Sequence, residues 1–212
     1  RIDDMIRQRS QQLGIGWPDL LVLIASVYLQ DRFPFEGPAL PVWMPYMSRM
    51  GSVSAAIPAL AVNILPLVVT VEAGEGLDAR LQRLAGDLRK LRRHGRYRVE
   101  QLAADRGIGA GHRFYFSPLV NVLPFDPPQF EGCDCTRHVL SSGPADGFNI
   151  TFRSAGDGSG MSLFLESDPQ TTDATTFARH CRDLAAFLVA ALTPENGAVE
   201  PSELLDEPAL PA

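Results

Sequence analysis

The chain has 212 residues, enough for one domain with a substantial core or two small ones, and its 45% hydrophobic and 21% charged content is that of an ordinary globular protein. A formal net charge of −6 argues against a nucleic-acid partner, because binding phosphates needs a basic surface. No stretch stays apolar for the roughly eighteen residues that cross a bilayer, so no membrane partner is expected, and three cysteines without metal-ligand spacing fit reduced thiols in a cytoplasmic protein.

The chain opens at Arg1 in a helix-like segment, with neither an initiator Met nor a signal-peptide pattern, which reads as an internal piece of a longer polypeptide. Residues 3–13 fit a polar helix with Met5, Ile6 and Leu13 on one side. Pro18 suits the first turn of a second helix, which is apolar nearly all round and so expected between layers. Leu40 to Met47 reads as a strand that Pro41 and Pro45 would weaken if it were central. The Val- and Ile-rich run LAVNILPLVVTVE predicts a buried strand interrupted near Pro66.

Leu77, Leu81, Leu84, Leu88 and Leu91 then follow helical spacing with charges opposite, and a short helix is expected over 97–105. Further strands are predicted at 119–125, 137–140, 148–153 and 161–166, the last two flanking the turn-rich SAGDGSG as a hairpin. A final amphipathic helix spans about 173–192, with Thr172 or Asp173 as its N-cap. Residues 194–212, with four prolines, read as an acidic Pro-rich linker after a domain of residues 1–193. The irregular alternation favours an α/β layered architecture with a mixed sheet.

Local motifs for chemistry are few. In GDGSG, Asp157 stands where a nucleophile elbow needs glycine, and a hairpin turn explains Ser159 better. GIGAG is not a dinucleotide-binding fingerprint, because Gly111 comes one residue early. His94, His112, His138 and His180 form no metal-binding pair, and His180 and Cys181, as adjacent helical positions, point in different directions. The run from Arg89 to Arg98 could attract a phosphate, or could be the solvated C-terminal end of a helix.

Four stretches, in order, resemble the condensation domains of nonribosomal peptide synthetases, in particular the enterobactin-synthase-like subgroup. Leu40, Pro41, Arg49 and Gly51, followed by Asn63, Leu65, Pro66 and Leu67, match the first pattern, and His94, Tyr97, Glu100 and Leu102 match a second in which Gly95 replaces Gln. FSPLVNVLPFD matches a third at Pro118, Asn121, Phe125 and Asp126, with Ser117 in place of Gly. GPADGFNITF is similar to a fourth, with Gly147 where the subgroup has Asp.

The resemblance implies a chloramphenicol-acetyltransferase-like lobe, the C-terminal one of two that form a V around a tunnel. There an acyl or peptidyl donor and an aminoacyl acceptor, each on the phosphopantetheine arm of a carrier protein, are joined into an amide. It implies as partners the N-terminal lobe of the same domain, donor and acceptor peptidyl carrier proteins, and neighbouring synthetase domains. The family's catalytic H-H-x-x-x-D-G has no match in this chain, so no catalytic residue, metal or bound cofactor is expected, and the piece alone is expected to be inactive. Arg49, Gly51, Ser52, Asn63, Ser117 and Asn121 are the residues that the resemblance places along the tunnel. Two readings stay open beside it: a chemically inactive domain that recruits a partner enzyme, and an ester-forming or epimerising relative.

Overall fold

The structure is a computed structural model and describes residues 2–47, 62–107, 116–124, 130–133, 140, 145, 147–154 and 160–205. Two helices open it, α1 (Ile2–Leu13) and α2 (Trp17–Arg32). Strands β1 (Ala39–Met47) and β2 (Val62–Thr70) follow, then α3 (Leu77–Arg93), the short α4 (Val99–Asp105), β3 (Leu119–Leu123), β4 (Phe148–Ser154), β5 (Met161–Ser167) and α5 (Ala174–Leu192). The expected strand at 137–140 falls mostly outside the described residues, as does the turn of the β4–β5 hairpin.

The strands form one mixed sheet in the order β2-β1-β3-β4-β5, antiparallel at its two outer pairs and parallel at β1–β3 and β3–β4. Leu40, Val42 and Met44 of β1, Leu65, Leu67 and Val69 of β2, Val120 of β3, and Phe148, Ile150 and Phe152 of β4 meet the helices in a single core. Every residue of α2 from Leu20 to Leu29 is buried, as its all-round apolar sequence predicts. Leu77, Leu81, Leu84 and Leu88 carry α3 onto the same core. Helix α5 begins where the carboxylate of Asp173 accepts the backbone N–H groups of Thr175 and Thr176, at 2.9 and 3.0 Å, and these bonds hold its pKa below the ordinary carboxylate value.

The prolines explain the sheet's least regular pairing. The backbone N–H of Trp43 points at β3, donating to Pro118 O at 2.9 Å, so positions 41 and 45, two residues either side, also aim their nitrogens there. Proline has no N–H to give, and the β1–β3 pairing shrinks to the single bridge Trp43↔Leu119. By the same alternation Pro66, opposite Trp43, turns its nitrogen to the free edge of the sheet. Contrary to the sequence reading, β2 therefore runs unbroken through Pro66 as an edge strand, where a missing donor costs no ladder bond.

The stretch read as a linker is folded over its first part. Residues 194–198 and 201–203 form two 3-10 turns. Val199 O accepts from Leu77 N–H at 2.9 Å, Pro201 is buried, and Leu204 and Leu205 pack on the core. Pro and Glu made this segment look solvated, yet its apolar residues cover the N-terminal end of α3.

Candidate functional site

The sheet's second face carries Asn121, one of the expected site residues. Alternation puts Pro41, Trp43, Pro45 and Met47 of β1 on it, opposite Val68, Pro66, Ile64 and Val62 of β2. Leu119, Asn121 and Leu123 of β3 continue it, registered with Asn149, Thr151 and Arg153 of β4, and these with Glu166, Phe164 and Ser162 of β5. The face is apolar across β1 and β2 and turns polar at β3. Trp43 is buried there, its ring 5.3 Å from that of Phe116, whereas Val62, Val68 and Phe164 are exposed.

Asn121 stands at the boundary between the two halves. It is half-buried, its register partner is Thr151, and neither side chain makes a hydrogen bond among the described residues. A half-shielded amide with free donor and acceptor, bordered by an apolar floor, is suited to hold a polar group of a bound molecule. Arg153 completes the polar side, its guanidinium 5.6 Å from the centre of the Phe164 ring.

Ser117 sits just before β3, next to the cis Ser117–Pro118 bond, and its hydroxyl accepts the N–H of Phe148 at 3.0 Å. That bond ties the first residue of β4 to the chain entering β3 and fixes the register that sets Asn121 beside Thr151. Ser117 thus acts through its neighbours, as a positioning residue.

Asn63 lies elsewhere. Its register partner is Tyr46, on the helix-covered face, so Asn63 and Asn121 occupy opposite faces of the sheet and do not line one surface. The Asn63 amide is also fully occupied. Its Nδ2 donates to Gly95 O at 2.9 Å and Tyr97 O at 2.7 Å, and its Oδ1 accepts from Val99 N at 3.2 Å. This side chain fastens the α3–α4 connection to β2, so the alternative that the sequence left open for Asn63, bonding to backbone groups, is the one observed, although its partners lie more than thirty residues away. Arg49, Gly51 and Ser52, the remaining expected residues, lie outside the described residues.

Two further features bear on chemistry. His180 is buried between α2 and α5, its Nδ1 2.8 Å from Tyr28 Oη and its ring 5.0 Å from that of Phe148. Its Nε2 has no hydrogen-bond partner among the described residues; burial and then the nearby Arg179 push its pKa below the ordinary histidine value. Burial likewise raises the pKa of Tyr28. The pair is thus enclosed in the core, and Cys181 next to it is exposed. A cleft of about 230 Å³ opens between Asp3, Ile6 and Arg7 of α1, Trp17, and Pro124, Gly160 and Met161 at the ends of β3 and β5; none of the expected site residues lines it. Among the described residues no group of acidic, His and Cys side chains could hold a metal, and no single helix is long and apolar enough to cross a membrane.

Comparison with solved structures places this architecture. It superposes over 99% of its length on 49% of VibH, a nonribosomal peptide synthetase condensation enzyme, with a TM-score of 0.79 and 33% identity. The chain has the fold of one half of a condensation domain. Curated relatives include nonribosomal peptide synthetases. A dimodular nonribosomal peptide synthase of Bacillus subtilis is 30% identical over 202 residues, which are 94% of this chain and 8% of the relative. Enterobactin synthase component F of Escherichia coli K12 is 29% identical over 191 residues, 88% of this chain and 14% of that one. The half-domain thus spans about half of the solved condensation enzyme and a tenth or so of these synthetases. No protein-family model matches the chain.

Proposed function

We propose that this chain is the C-terminal lobe of a nonribosomal peptide synthetase condensation domain, and that it positions carrier-bound substrates for amide formation with an N-terminal lobe. The observation that carries the reading is the match of nearly the whole chain to half of a condensation enzyme, with the uncommitted amide of Asn121 on the sheet's second face. In the reaction, the acceptor's amine attacks the donor thioester, its proton is removed, and the carrier thiolate leaves as the amide forms. The groups that move the proton belong to the other lobe. The part of this lobe is to hold the two tethered reactants in line, a contribution worth up to about 7–11 kcal/mol when the alignment is complete. Asn121 is suited to hold a carbonyl or amide of the substrate at the polar boundary of the face.

Departures from the family pattern do not favour an inactive recruiter. A side chain at Gly95 would run into the ring of Tyr46, and one at Gly147 into Ser117, so these departures have packing reasons. The test is to join both lobes, supply loaded donor and acceptor carriers, and weigh the products. A carrier-bound product that combines both masses is expected, with Asn121→Ala lowering turnover about tenfold or more. Unchanged masses throughout, or an unchanged mass with inverted stereochemistry, would sink the amide-forming reading.

A further inference from the structure

The polar half of the sheet's second face holds a cation without a counter-charge. Arg153, near the end of β4, is half-buried and makes neither an ion pair nor a hydrogen bond among the described residues. Its guanidinium lies 5.6 Å from the centre of the Phe164 ring on β5. A phenyl face steadies a cation and offers no lone pair, so the donors of the guanidinium fork remain unspent. Arginines buried on the helix side are in a different condition: Arg9 pairs with Asp78, Arg32 with Asp31 and Arg80 with Glu75. Arg83 and Arg92, half-buried like Arg153, pair with Glu75 and Asp19.

The register explains why Arg153 is left over. Among the described strand residues of the second face the one carboxylate is Glu166, four residues along β5 from Ser162, the register partner of Arg153. Four residues of strand span roughly 13 Å, and Phe164 stands between the two charges, so they do not cancel. On the other side, Asn121, Thr151 and Phe164 stand in register across three adjacent strands. The amide and the ring over which Arg153 sits are thus two strand spacings apart, about 10 Å. Amide, hydroxyl and guanidinium lie along one path over the face, each with hydrogen-bonding capacity to spare among the described residues.

We infer that Arg153 is a specificity-determining residue that selects a substrate bearing a carboxylate, an acidic acyl or aminoacyl group. The inference rests on the condensation reading and deepens it by naming the class of substrate. A guanidinium presents parallel N–H groups that match the two oxygens of a carboxylate, and shielding from water strengthens the pair. Asn121 takes a carbonyl or amide of the substrate, and Arg153 takes the acid. Their spacing suits an acid a few bonds from that carbonyl, as in an aspartyl or glutamyl group. Glu166 repels the same acid at the far side of Phe164, so the face sets the direction of the substrate as well as its charge. A cationic substrate meets repulsion at Arg153, and a neutral one leaves its charge unmatched. The acid belongs either to the donor or to the acceptor, and separate arms of one experiment tell which.

The experiment uses the complete two-lobed domain with loaded carriers. In one arm the acceptor is glutamyl or the isosteric glutaminyl, against a fixed neutral donor. In the other arm the donor carries that pair, against a fixed neutral acceptor. The quantity read is the ratio of kcat/KM for acid over amide, followed by the mass of the joined product. Wild type should favour the acid about tenfold or more in one arm, which identifies the substrate that bears it. Arg153→Gln should bring that ratio to about one, and Arg153→Lys, which keeps the charge and loses the fork, should hold it at about threefold. Arg153→Glu should turn the ratio in favour of the amide. Melting temperatures confirm that the variants fold, and a general loss of packing would slow both substrates alike and leave the ratio unmoved. A ratio near one in both arms of wild type, or one that Arg153→Gln leaves undiminished, overturns the inference, while product from the glutaminyl substrates keeps the condensation reading standing. Absence of product from every pairing in wild type strikes the condensation reading, and the inference falls with it.

Discussion

Ser117 and Gly147 come from stretches thirty residues apart, and each departs from the family pattern; in the fold they touch. Gly147 has φ +79°, and a Cβ on it would overlap the Ser117 side chain, whose hydroxyl accepts the N–H of the next residue, Phe148. With Gly at 117, as in the pattern, a side chain at 147 has room, so the two departures amount to one exchange across the β3–β4 entry. Gly147→Ala should destabilise the protein by about 3 kcal/mol, from the overlap and from an unfavourable left-handed backbone. In a Ser117→Gly background the overlap is gone and the same change should cost only about 1 kcal/mol, giving a coupling of about 2 kcal/mol in a double-mutant cycle. Urea unfolding of the four proteins measures it, and strictly additive effects would show that the two residues are independent.

At the level of elements, periodicity in the sequence located the helices because leucine spacing and Pro18 report directly on burial and on the first helical turn. The direction in which a proline nitrogen points is different in kind. It depends on which neighbour lies on which side, and the sequence alone does not reveal that Pro66 faces a free edge while Pro41 and Pro45 face β3. The strand that carries Asn121 was legible in the sequence, while the clamp made by Asn63 depends on backbone carbonyls more than thirty residues away.

The contact of α2 with α5 through Tyr28 and His180 was likewise invisible in sequence, and it carries a pH dependence. The folded pKa of His180 lies below the unfolded value of 6.5, so the unfolded chain takes up this proton first. The stability from the neutral, buried ring is complete above about pH 6.5 and is lost as pH falls through that value, by at most about 1.4 kcal/mol per pH unit. Asp183 opposes the shift and Arg179 reinforces it. Urea midpoints measured between pH 7.5 and 5 should fall, and His180→Phe should flatten that limb, because carboxylates such as Glu75 titrate at lower pH still. An identical slope in the variant would place the proton elsewhere.

For the molecule as a whole, the division of the sheet into two faces sets its behaviour outside a complete domain. One face is closed by α2, α3 and α5, and the other sets the apolar side chains of β1 and β2 beside the polar ones of β3 to β5. Met47, Val62 and Val68, on the β1–β2 part of that second face, keep between a third and about half of their surface in contact with water, although they are apolar. Monomeric proteins rarely leave a contiguous apolar surface of this kind uncovered. The chain by itself is therefore expected to self-associate through this face and to bind a hydrophobic dye, and on the proposed function an added N-terminal lobe should suppress both. Val68→Lys should reduce the self-association on size-exclusion chromatography and leave the melting temperature within a few degrees, since a half-exposed position on an edge strand accepts a charge at little cost and charges there discourage edge pairing. A wild-type chain that runs as a monomer and binds no dye would show the face to be closed already. Association that Val68→Lys leaves unchanged would assign it to a surface other than the β2 side of the sheet.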